Sequence, residues 1–426
     1  MLENESFYEK SGSFIDLMGS PIVFMHDINT LPNFSKIISQ VDGIDKYERA
    51  LSVARSEDVV ITKYPPDRAF IQWLERVGLG SKKIIVLNGK PLETLPERIL
   101  NYQVKDEIRS LLGSGKRSAI ISPYYGGSLE QQASSHLELE MYANSETVKK
   151  FDSKINFKNL CRKIGVPVII DKIFTVTSKI KGTQYLSNIV KESISETGKV
   201  IVKGEYGASA STTYVFDKID LSLLKEIIAN SQMGDRYLVE PFYHSLSQPS
   251  SVWFISKNKR IVHLKTSNQI LDEETSHIGN EFPVDFDEDK VRKLSSKIAK
   301  YLNMEGFIGP FGIDYVETRD GIFAAECNPR VTGAMYPWEL IYRLESNGSI
   351  KAARAENIHL PRRGLCFKDL MKSWGDVLYD TCEDTGVIVP FNVGPIKEGK
   401  VTVLGTGSSK NDVQSLFEFI KSNLPS

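Results

Sequence analysis

Short apolar runs alternate with helical patterns through residues 1–145 of this 426-residue chain. Pro, Gly or charged residues bound each apolar run, as expected for strands. Intervening segments place apolar residues three and four apart, which is typical of helices packed on a sheet. This alternation favours an open, mostly parallel α/β sheet. The predicted strands lie at 21–28, 57–64, 82–89 and 117–125, and two of the predicted helices at 45–55 and 67–80.

Strands and helices mix differently after residue 150. One predicted helix carries a single apolar stripe with spacings of 3, 4 and 4. Two strands follow at 309–317 and 321–328, joined by the hairpin-like turn TRDG. The chain then ends in a pattern of two strands and a helix, which predicts a small α+β piece. The stripe consists of Val291, Leu294, Ile298 and Leu302.

Charge and composition exclude several classes of function. The 53 basic and 54 acidic residues give a net charge of -1, which argues against bulk electrostatic binding of nucleic acid or an anionic membrane. No stretch reaches 18 apolar residues, and the acidic, polar start MLENESFYEK is unlike a signal peptide. The four cysteines show no metal-ligand spacing. These features predict a cytoplasmic protein.

The second strand of the hairpin ends in polar residues at alternate positions: Glu326, Asn328 and Arg330. Alternate side chains point to the same face of a strand, and a hairpin can place Asp314 opposite Glu326 or Asn328. Carboxylate and amide oxygens are hard ligands of the kind that hold Mg²⁺ together with nucleotide phosphates. The alternative interpretation of the hairpin alone is a solvated turn.

Two further strands end in residues suited to a nucleotide. The run VIVKGEYGASAST delivers Lys203 and then a loop of small residues whose N–H groups could approach phosphate oxygens. The run DRYLVEPFY ends in Glu240 and Pro241, which could offer a carboxylate and backbone groups to adenine. A flexible hairpin tip and a buried strand reaching the surface are the alternatives for the two runs.

Other motifs are less informative. GSGKRS at 113–118 lacks the spacing of a phosphate loop and precedes a strand instead of following one. Cys327 lies between two proposed ligands and should point into the core. His277 is the histidine best placed to touch a substrate, and a surface-loop position is the alternative.

The order and spacing of these segments resemble the ATP-grasp superfamily over about residues 145–345. The resemblance implies ATP and Mg²⁺ as cofactors, with Mn²⁺ as an alternative metal. It implies Asp314, Glu326 and Asn328 as metal ligands, and Arg330 and Lys203 as catalytic residues. After the adenine segment, Gln248 or a serine stands where relatives often carry a carboxylate for the ribose. The implied ATP-binding residues are Lys154, Lys203, Gly207, Ser209, Ala210, Glu240, Pro241 and Phe242.

Further segments are similar to the pheganomycin-type peptide ligases, including SPYYGGSLEQQASSHLELEMYANSETVKKFDSK and the C-terminal run GPIKEGKVTVLGTGSSKNDVQSL. That similarity implies four domains. They are a Rossmann-like pre-ATP-grasp domain, a lobe with the phosphate lid, a lobe with the metal site, and a small C-terminal α+β domain. The implied boundaries are 1–145, 146–240, 241–362 and 363–426.

The resemblance implies a ligase that activates a small amino-acid-like carboxylate as an acylphosphate and joins it to an amine or peptide, in a secondary-metabolite pathway. The alternative loads an amino acid onto the thiol of an acyl carrier protein. That alternative predicts a basic docking patch, for which a solvated basic surface is the plainer interpretation. No nucleic-acid or membrane partner is expected, and relatives often form homodimers. The patch would comprise Lys351, Arg354, Arg362 and Arg363.

Overall fold

The computed structural model describes residues 8–425 except 11, 20, 35–37, 39–42, 91, 114–118, 208–210, 273–275 and 346–347. The described residues form three β-sheets with helices packed against them. The strands are β1 (Tyr8–Lys10), β2 (Ile22–Met25), β3 (Val59–Thr62), β4 (Ile84–Val86), β5 (Ile120–Pro123), β6 (Glu140–Met141), β7 (Lys172–Thr175), β8 (Val200–Gly204), β9 (Thr213–Phe216), β10 (Arg236–Pro241), β11 (Pro249–Ile255), β12 (Ile261–Asp272), β13 (Ser276–Phe282), β14 (Gly309–Thr318), β15 (Gly321–Asn328), β16 (Ala352–His359), β17 (Ile388–Asn392) and β18 (Lys400–Gly407).

The α-helices span Phe14–Met18, Ala50–Val53, Arg68–Arg76, Leu95–Asn101, Lys105–Leu112, Ser128–Leu137, Ser145–Asp152, Lys154–Lys163, Lys179–Thr197, Leu221–Ala229, Glu288–Met304, Met335–Leu344, Phe367–Trp374 and Lys410–Ser422. Short 3-10 helices lie at Ile28–Thr30, Ile44–Lys46 and Gly394–Glu398. Within the described residues, no helix is both long and apolar enough to cross a membrane.

The first sheet has the strand order β4-β3-β2-β5-β6, and every neighbouring pair is parallel. Each apolar run predicted in this region contains one of its strands. Side chains such as Val23, Ile61 and Ile121 are buried in its core. The predicted fold class, a parallel N-terminal sheet followed by antiparallel α+β lobes, is confirmed.

The helix predicted over 45–55 is wrong in part, because the chain forms a 3-10 turn at Ile44–Lys46 and only a short helix at Ala50–Val53. The Glu48 amide, which a continuous helix would pair with the residue 44 carbonyl, donates instead to Asn392 Oδ1 at 3.1 Å. A tertiary contact with β17 therefore overrides the local helical pattern.

The second sheet is antiparallel, with the order β7-β10-β8-β9. The helices Lys179–Thr197 and Leu221–Ala229 supply buried residues to its hydrophobic core. Leu238 of β10 pairs with Lys203 of β8, so the carboxyl end of β8 and the middle of β10 lie side by side. This pairing brings two of the predicted nucleotide-binding segments together.

The third sheet carries the order β15-β14-β11-β12-β13-β16-β18-β17, with β1 paired to β12. β14 and β15 form the predicted hairpin, with Thr318 opposite Gly321 across the turn. The helix predicted from the apolar stripe is Glu288–Met304, and it buries Val291, Ile298 and Leu302 of that stripe. The C-terminal strands do not form a sheet of their own, since β18 pairs with β16 over eight residues.

The helix Lys410–Ser422 is anchored by Trp374, which is fully buried and donates its Nε1–H to the Ile420 and Asn423 carbonyls at 3.2 and 3.0 Å. We expect Trp374→Ala to lower the free energy of unfolding by about 3–5 kcal/mol, because it leaves a cavity and two unpaired carbonyls. Urea unfolding followed by tryptophan fluorescence measures this. Phe419→Ala, at a side chain 38% exposed on the same helix, is the control and should cost less than about 1 kcal/mol. Equal effects would contradict the anchoring role.

Candidate active site

The hairpin of β14 and β15 brings the predicted metal ligands together. Asp314 lies directly opposite Glu326, and Asn328 lies opposite Gly312. Asn328 Nδ2 donates to Asp314 Oδ2 at 2.7 Å and to Glu326 Oε1 at 3.3 Å. The three side chains therefore share one face of the hairpin, as the alternate spacing predicted.

One neighbouring strand and one helix supply a hydrogen bond and a positive charge to the carboxylate pair. Ser250 of β11 donates to Asp314 Oδ1 at 2.7 Å, and Lys154 Nζ lies 3.0 Å from Glu326 Oε2. Burial and then the nearby Glu326 raise the pKa of Asp314. Burial also opposes ionisation of Glu326, but Lys154 and the other cations outweigh it and lower the pKa of that carboxyl. The pair thus holds one strongly ionised and one weakly acidic carboxyl group.

This donor set suits a hard divalent cation. Two carboxylates and one amide provide oxygen ligands when Asn328 turns its Oδ1 inward, and Mg²⁺ usually takes few protein ligands together with phosphates and water. The described part of the chain contains no cluster of three or more His, Cys, Asp or Glu residues suited to a metal. Three protein oxygens leave the other positions around Mg²⁺ to phosphates and water, so Asp314, Glu326 and Asn328 fit a shared metal–phosphate site.

Arg330 extends the polar face beyond Asn328. Its Nη2 donates to Asn328 Oδ1 at 2.6 Å, and its Nη1 lies 3.4 Å from the Tyr124 hydroxyl of the N-terminal region. Its Nε is buried and has no hydrogen-bond partner among the described residues. Cys327 lies between Glu326 and Asn328, and its side chain is buried in the hydrophobic core. The prediction that it belongs to the core is therefore confirmed.

Lys203 and Glu240 meet across β8 and β10, with Lys203 Nζ 3.1 Å from Glu240 Oε2. Glu240 is 2% exposed, and its Oε1 lies 2.5 Å from Nζ of the buried Lys158. Burial alone would raise the pKa of Glu240, but Lys203 and Lys158 outweigh it and lower that pKa to about 2. The Glu240 carboxylate is therefore a fixed negative charge that positions two lysines.

Lys154 connects the β14–β15 hairpin to the loop of small residues that follows β8, which is the predicted phosphate lid. Besides Glu326, its Nζ donates to the Gly207 carbonyl at 3.0 Å. Gly207 has φ +148, and a Cβ there would meet Thr212 Oγ1 at 2.4 Å, so glycine is required at this position. The other predicted lid contacts, Ser209 and Ala210, lie outside the described residues.

A cavity of about 470 Å³ lies between the second and third sheets. Its walls include the two lysines Lys154 and Lys203 and the two carboxylates of Asp314 and Glu326. At Phe242 the backbone amide already donates to the Lys199 carbonyl at 2.9 Å, so an adenine contact there must use other atoms. The remaining predicted nucleotide residues also line this cavity: Glu240, Pro241, Phe242 and Gln248.

A second cavity, of about 480 Å³, lies on the other side of the same carboxylates. The N-terminal region contributes Arg49 and Tyr124 to it, and the C-terminal strands contribute Lys400. Asp314 and Glu326 line both cavities. The carboxylate pair therefore stands where the two cavities meet.

Several site residues were missed by sequence reasoning. Lys158 follows Lys154 by four residues, so both lie on one face of the helix Lys154–Lys163, and that spacing was a readable signal. Ser250 and Arg49 reach the site through strand register and tertiary packing, for which the sequence offers no local signal. His277 lies on β13 and lines both cavities, so the surface-loop alternative is wrong.

The four basic residues of the predicted docking patch fall into two groups. Lys351 and Arg354 lie at the start of β16, and Arg354 Nε donates to Glu356 Oε2 at 2.7 Å. Arg362 and Arg363 follow the end of that strand.

Comparison with known proteins gives a family match for the middle of the chain and a similar fold for nearly all of it. Residues 169–334 match the family model described as an ATP-grasp domain. This stretch carries Lys203, Glu240 and the carboxylates of Asp314 and Glu326, so the part of the chain that holds these residues is similar to an ATP-grasp domain. A search of curated proteins gave no match.

Solved structures show the same fold along nearly the whole chain. Biotin carboxylase from Campylobacter jejuni has a TM-score of 0.59 at 12% identity, covering 95% of this chain and 91% of that chain. N5-carboxyaminoimidazole ribonucleotide synthetase from Thermus thermophilus has a TM-score of 0.56 at 9% identity, covering 95% and 99%. N5-carboxyaminoimidazole synthetase from Staphylococcus aureus, complexed with ADP, has a TM-score of 0.55 at 12% identity, covering 95% of this chain and 98% of that chain. At these identities the similarity establishes the fold.

The Glu240 ion pairs generate a stability prediction. We expect Glu240→Gln to lower the free energy of unfolding by about 3–5 kcal/mol. The substitution leaves the buried Lys158 with only one carboxylate partner, Asp171, at 3.5 Å. Since the folded pKa of Glu240 is about 2 and its ordinary value is 4.5, its stabilisation is complete above about pH 4.5 and is lost as pH falls toward 2. Urea unfolding at pH 7 and across pH 2–5 measures both effects.

The variant should lose less stability than the wild type as pH falls through this range. Glu192→Gln is the control, because Glu192 is 63% exposed and only pairs with the partly exposed Lys172 at 3.3 Å. A cost at Glu240 no larger than that at Glu192 would contradict the role given to the buried pair.

Proposed function

We propose that the protein is an ATP-dependent carbon–nitrogen ligase that activates a small amino-acid-type carboxylate as an acylphosphate and joins it to an amine, forming an amide or peptide bond. One observation carries the proposal. Asp314 and Glu326 stand at the junction of two cavities, one lined by two lysines and the other by arginine and lysine side chains from three parts of the chain. A phosphoryl group at that junction would be reachable from both cavities.

The first cavity suits the nucleotide. Lys154 and Lys203 provide ammonium groups for phosphate oxygens, and Gln248 stands near the position where a ribose contact is expected. Asp314, Glu326 and Asn328 would hold Mg²⁺, which when bound neutralises charge on the phosphates. Lys154 would exchange its contact with Glu326 for one with the nucleotide.

The second cavity suits the acid and the amine. A carboxylate oxygen of the acid attacks the γ-phosphorus, a new C–O–P linkage forms, and the bond from phosphorus to ADP breaks. The amine nitrogen then attacks the carbonyl carbon, and phosphate leaves with the C–O electron pair while the amine proton passes to solvent or base. Arg330, beside Asn328 and facing this cavity, would stabilise charge on the oxygens of both steps.

The N-terminal region contributes Arg49 and Tyr124 to the wall of the second cavity. These side chains support binding of a specific substrate there. The motifs shared with pheganomycin-type peptide ligases support peptide-bond formation in secondary metabolism as the specific role. Loading of an amino acid onto a carrier-protein thiol would use the same acylphosphate, with sulfur in place of nitrogen as the attacking atom.

Removing one proposed metal ligand should stop turnover. We expect Glu326→Gln to lower kcat for ADP formation by at least about 100-fold, since the cation would lose a charged oxygen ligand. A coupled ADP assay with acid, amine, ATP and Mg²⁺ measures this. Asp320→Asn, at the exposed turn of the same hairpin, makes the same chemical change away from the site and should keep wild-type kcat. Full activity of the Glu326 variant, with unchanged circular dichroism, would refute the metal assignment.

The acylphosphate leaves an isotopic signature. When a screen of amino acids and amines yields ADP, the acid labelled with ¹⁸O in its carboxylate should pass one labelled oxygen to inorganic phosphate, and mass spectrometry should show an amide product. Formation of AMP and pyrophosphate, or phosphate without label, would overturn the proposed mechanism. A mass increase on an added carrier protein instead of an amide would favour the thiol as acceptor.

A further inference from the structure

Arg49 is a half-buried arginine on the wall of the second cavity that the chemistry above does not use. Its guanidinium carbon lies 4.7 Å from the ring centroid of Tyr47 and 5.7 Å from that of Tyr336. Contacts with two aromatic rings fix the plane of the guanidinium and leave its N–H edge for hydrogen bonding.

No carboxylate among the described residues forms an ion pair with Arg49, and its Nε is buried without an acceptor. The adjacent Glu48 does not supply a negative charge, because burial raises the pKa of its carboxyl to about 8. Glu398, which also lines the cavity, pairs with Lys46. A half-buried guanidinium whose buried Nε has no acceptor is unfavourable, so a ligand anion is the natural partner.

Other donors face the same region. A Cβ on Gly333 would lie 3.4 Å from Arg49 Nη1 and 3.6 Å from His277 Cε1, so Arg49 reaches the loop that follows Arg330. On that loop Thr332 Oγ1 is buried without a partner in the described structure. Lys400 lies 5.5 Å from the Tyr47 ring and lines the cavity as well. Burial lowers the pKa of His277 to about 4, so this histidine is neutral near pH 7.

We infer that Arg49 is a specificity residue that binds a carboxylate which the ligase does not consume, so that one of the two substrates carries a free acid group in addition to the reacting group. This inference rests on the proposed function. The activated carboxylate has to reach the phosphate at Asp314 and Glu326. Arg49 instead lies beside Gly333 on the wall of the second cavity. Thr332 supplies a second donor to the same anion.

The retained carboxylate has two chemical sources. An α-amino acid or peptide that acts as the amine substrate keeps its own carboxylate after the amide forms. A dicarboxylic acid that acts as the acid substrate keeps its second carboxylate. Both give the same ion pair with Arg49, and paired substrates separate them: amino acids against their carboxamides, and dicarboxylic acids against their mono-amides.

Calorimetric titration of the full-length protein tests the inference directly. The probes are a panel of free amino acids, dipeptides and dicarboxylic acids with their matched amides, each with and without Mg²⁺ and a non-hydrolysable ATP analogue. For at least one pair the acid should bind more tightly than its amide. Arg49→Met should weaken binding of that acid by about 10- to 100-fold and leave binding of the amide unchanged. Arg49→Lys, which keeps the charge but not the planar fork, should fall in between.

Arg76→Met is the matched control, since Arg76 is exposed on the helix Arg68–Arg76 and does not line either cavity. It should bind the panel as the wild type does. Equal binding of every acid and its amide, or full discrimination by a folded Arg49→Met protein, would overturn the inference. Nucleotide-analogue binding is recorded in the same experiment. Failure of the wild-type protein to bind the analogue would refute the proposed function. If the wild-type protein binds the analogue but prefers no acid over its amide, or if Arg49→Met keeps the full preference, only the role of Arg49 is refuted.

Discussion

The rest of this structure depends on two half-buried carboxylates that a β-hairpin holds opposite each other. Asp314 and Glu326 repel each other, and burial makes that repulsion costly. Cations and hydrogen-bond donors from different parts of the chain offset this repulsion. They are Lys154 from a helix, Ser250 from β11, and Asn328 and Arg330 at the end of the hairpin. A site that gathers so much positive charge around so few oxygens is suited to exchanging those partners for a metal and a polyphosphate.

The same arrangement explains why the three sheets meet where they do. The second sheet brings Lys203, held by Glu240, to one side of the carboxylate pair, and the N-terminal region brings Arg49 and Tyr124 to the other. The third sheet carries the pair between them. Each region therefore contributes side chains to the walls of the two cavities, and none of them forms both cavities alone.

Sequence reasoning could predict what depends on local pattern. Alternating apolar runs indicated the parallel sheet, and the spacing of Glu326, Asn328 and Arg330 indicated their common face, because period and register are local properties. It could not predict that β18 pairs with β16, nor that Arg49 enters the second cavity, because strand order and the packing of distant segments are not encoded in short windows. The Glu48–Asn392 contact shows the limit well, since a residue more than 340 positions away ends a helix that local pattern favours.

The eight-residue pairing of β16 with β18 makes the C-terminal segment part of the sheet that carries Asp314 and Glu326. A chain shortened before β17 would leave β16 as a bare edge with a row of unsatisfied peptide groups, next to an apolar surface stripped of its covering helix. Such an edge invites self-association, so truncation here would endanger solubility before it altered chemistry. The tail thus serves as the sheet's border, and any fusion or trimming at this terminus has to preserve it.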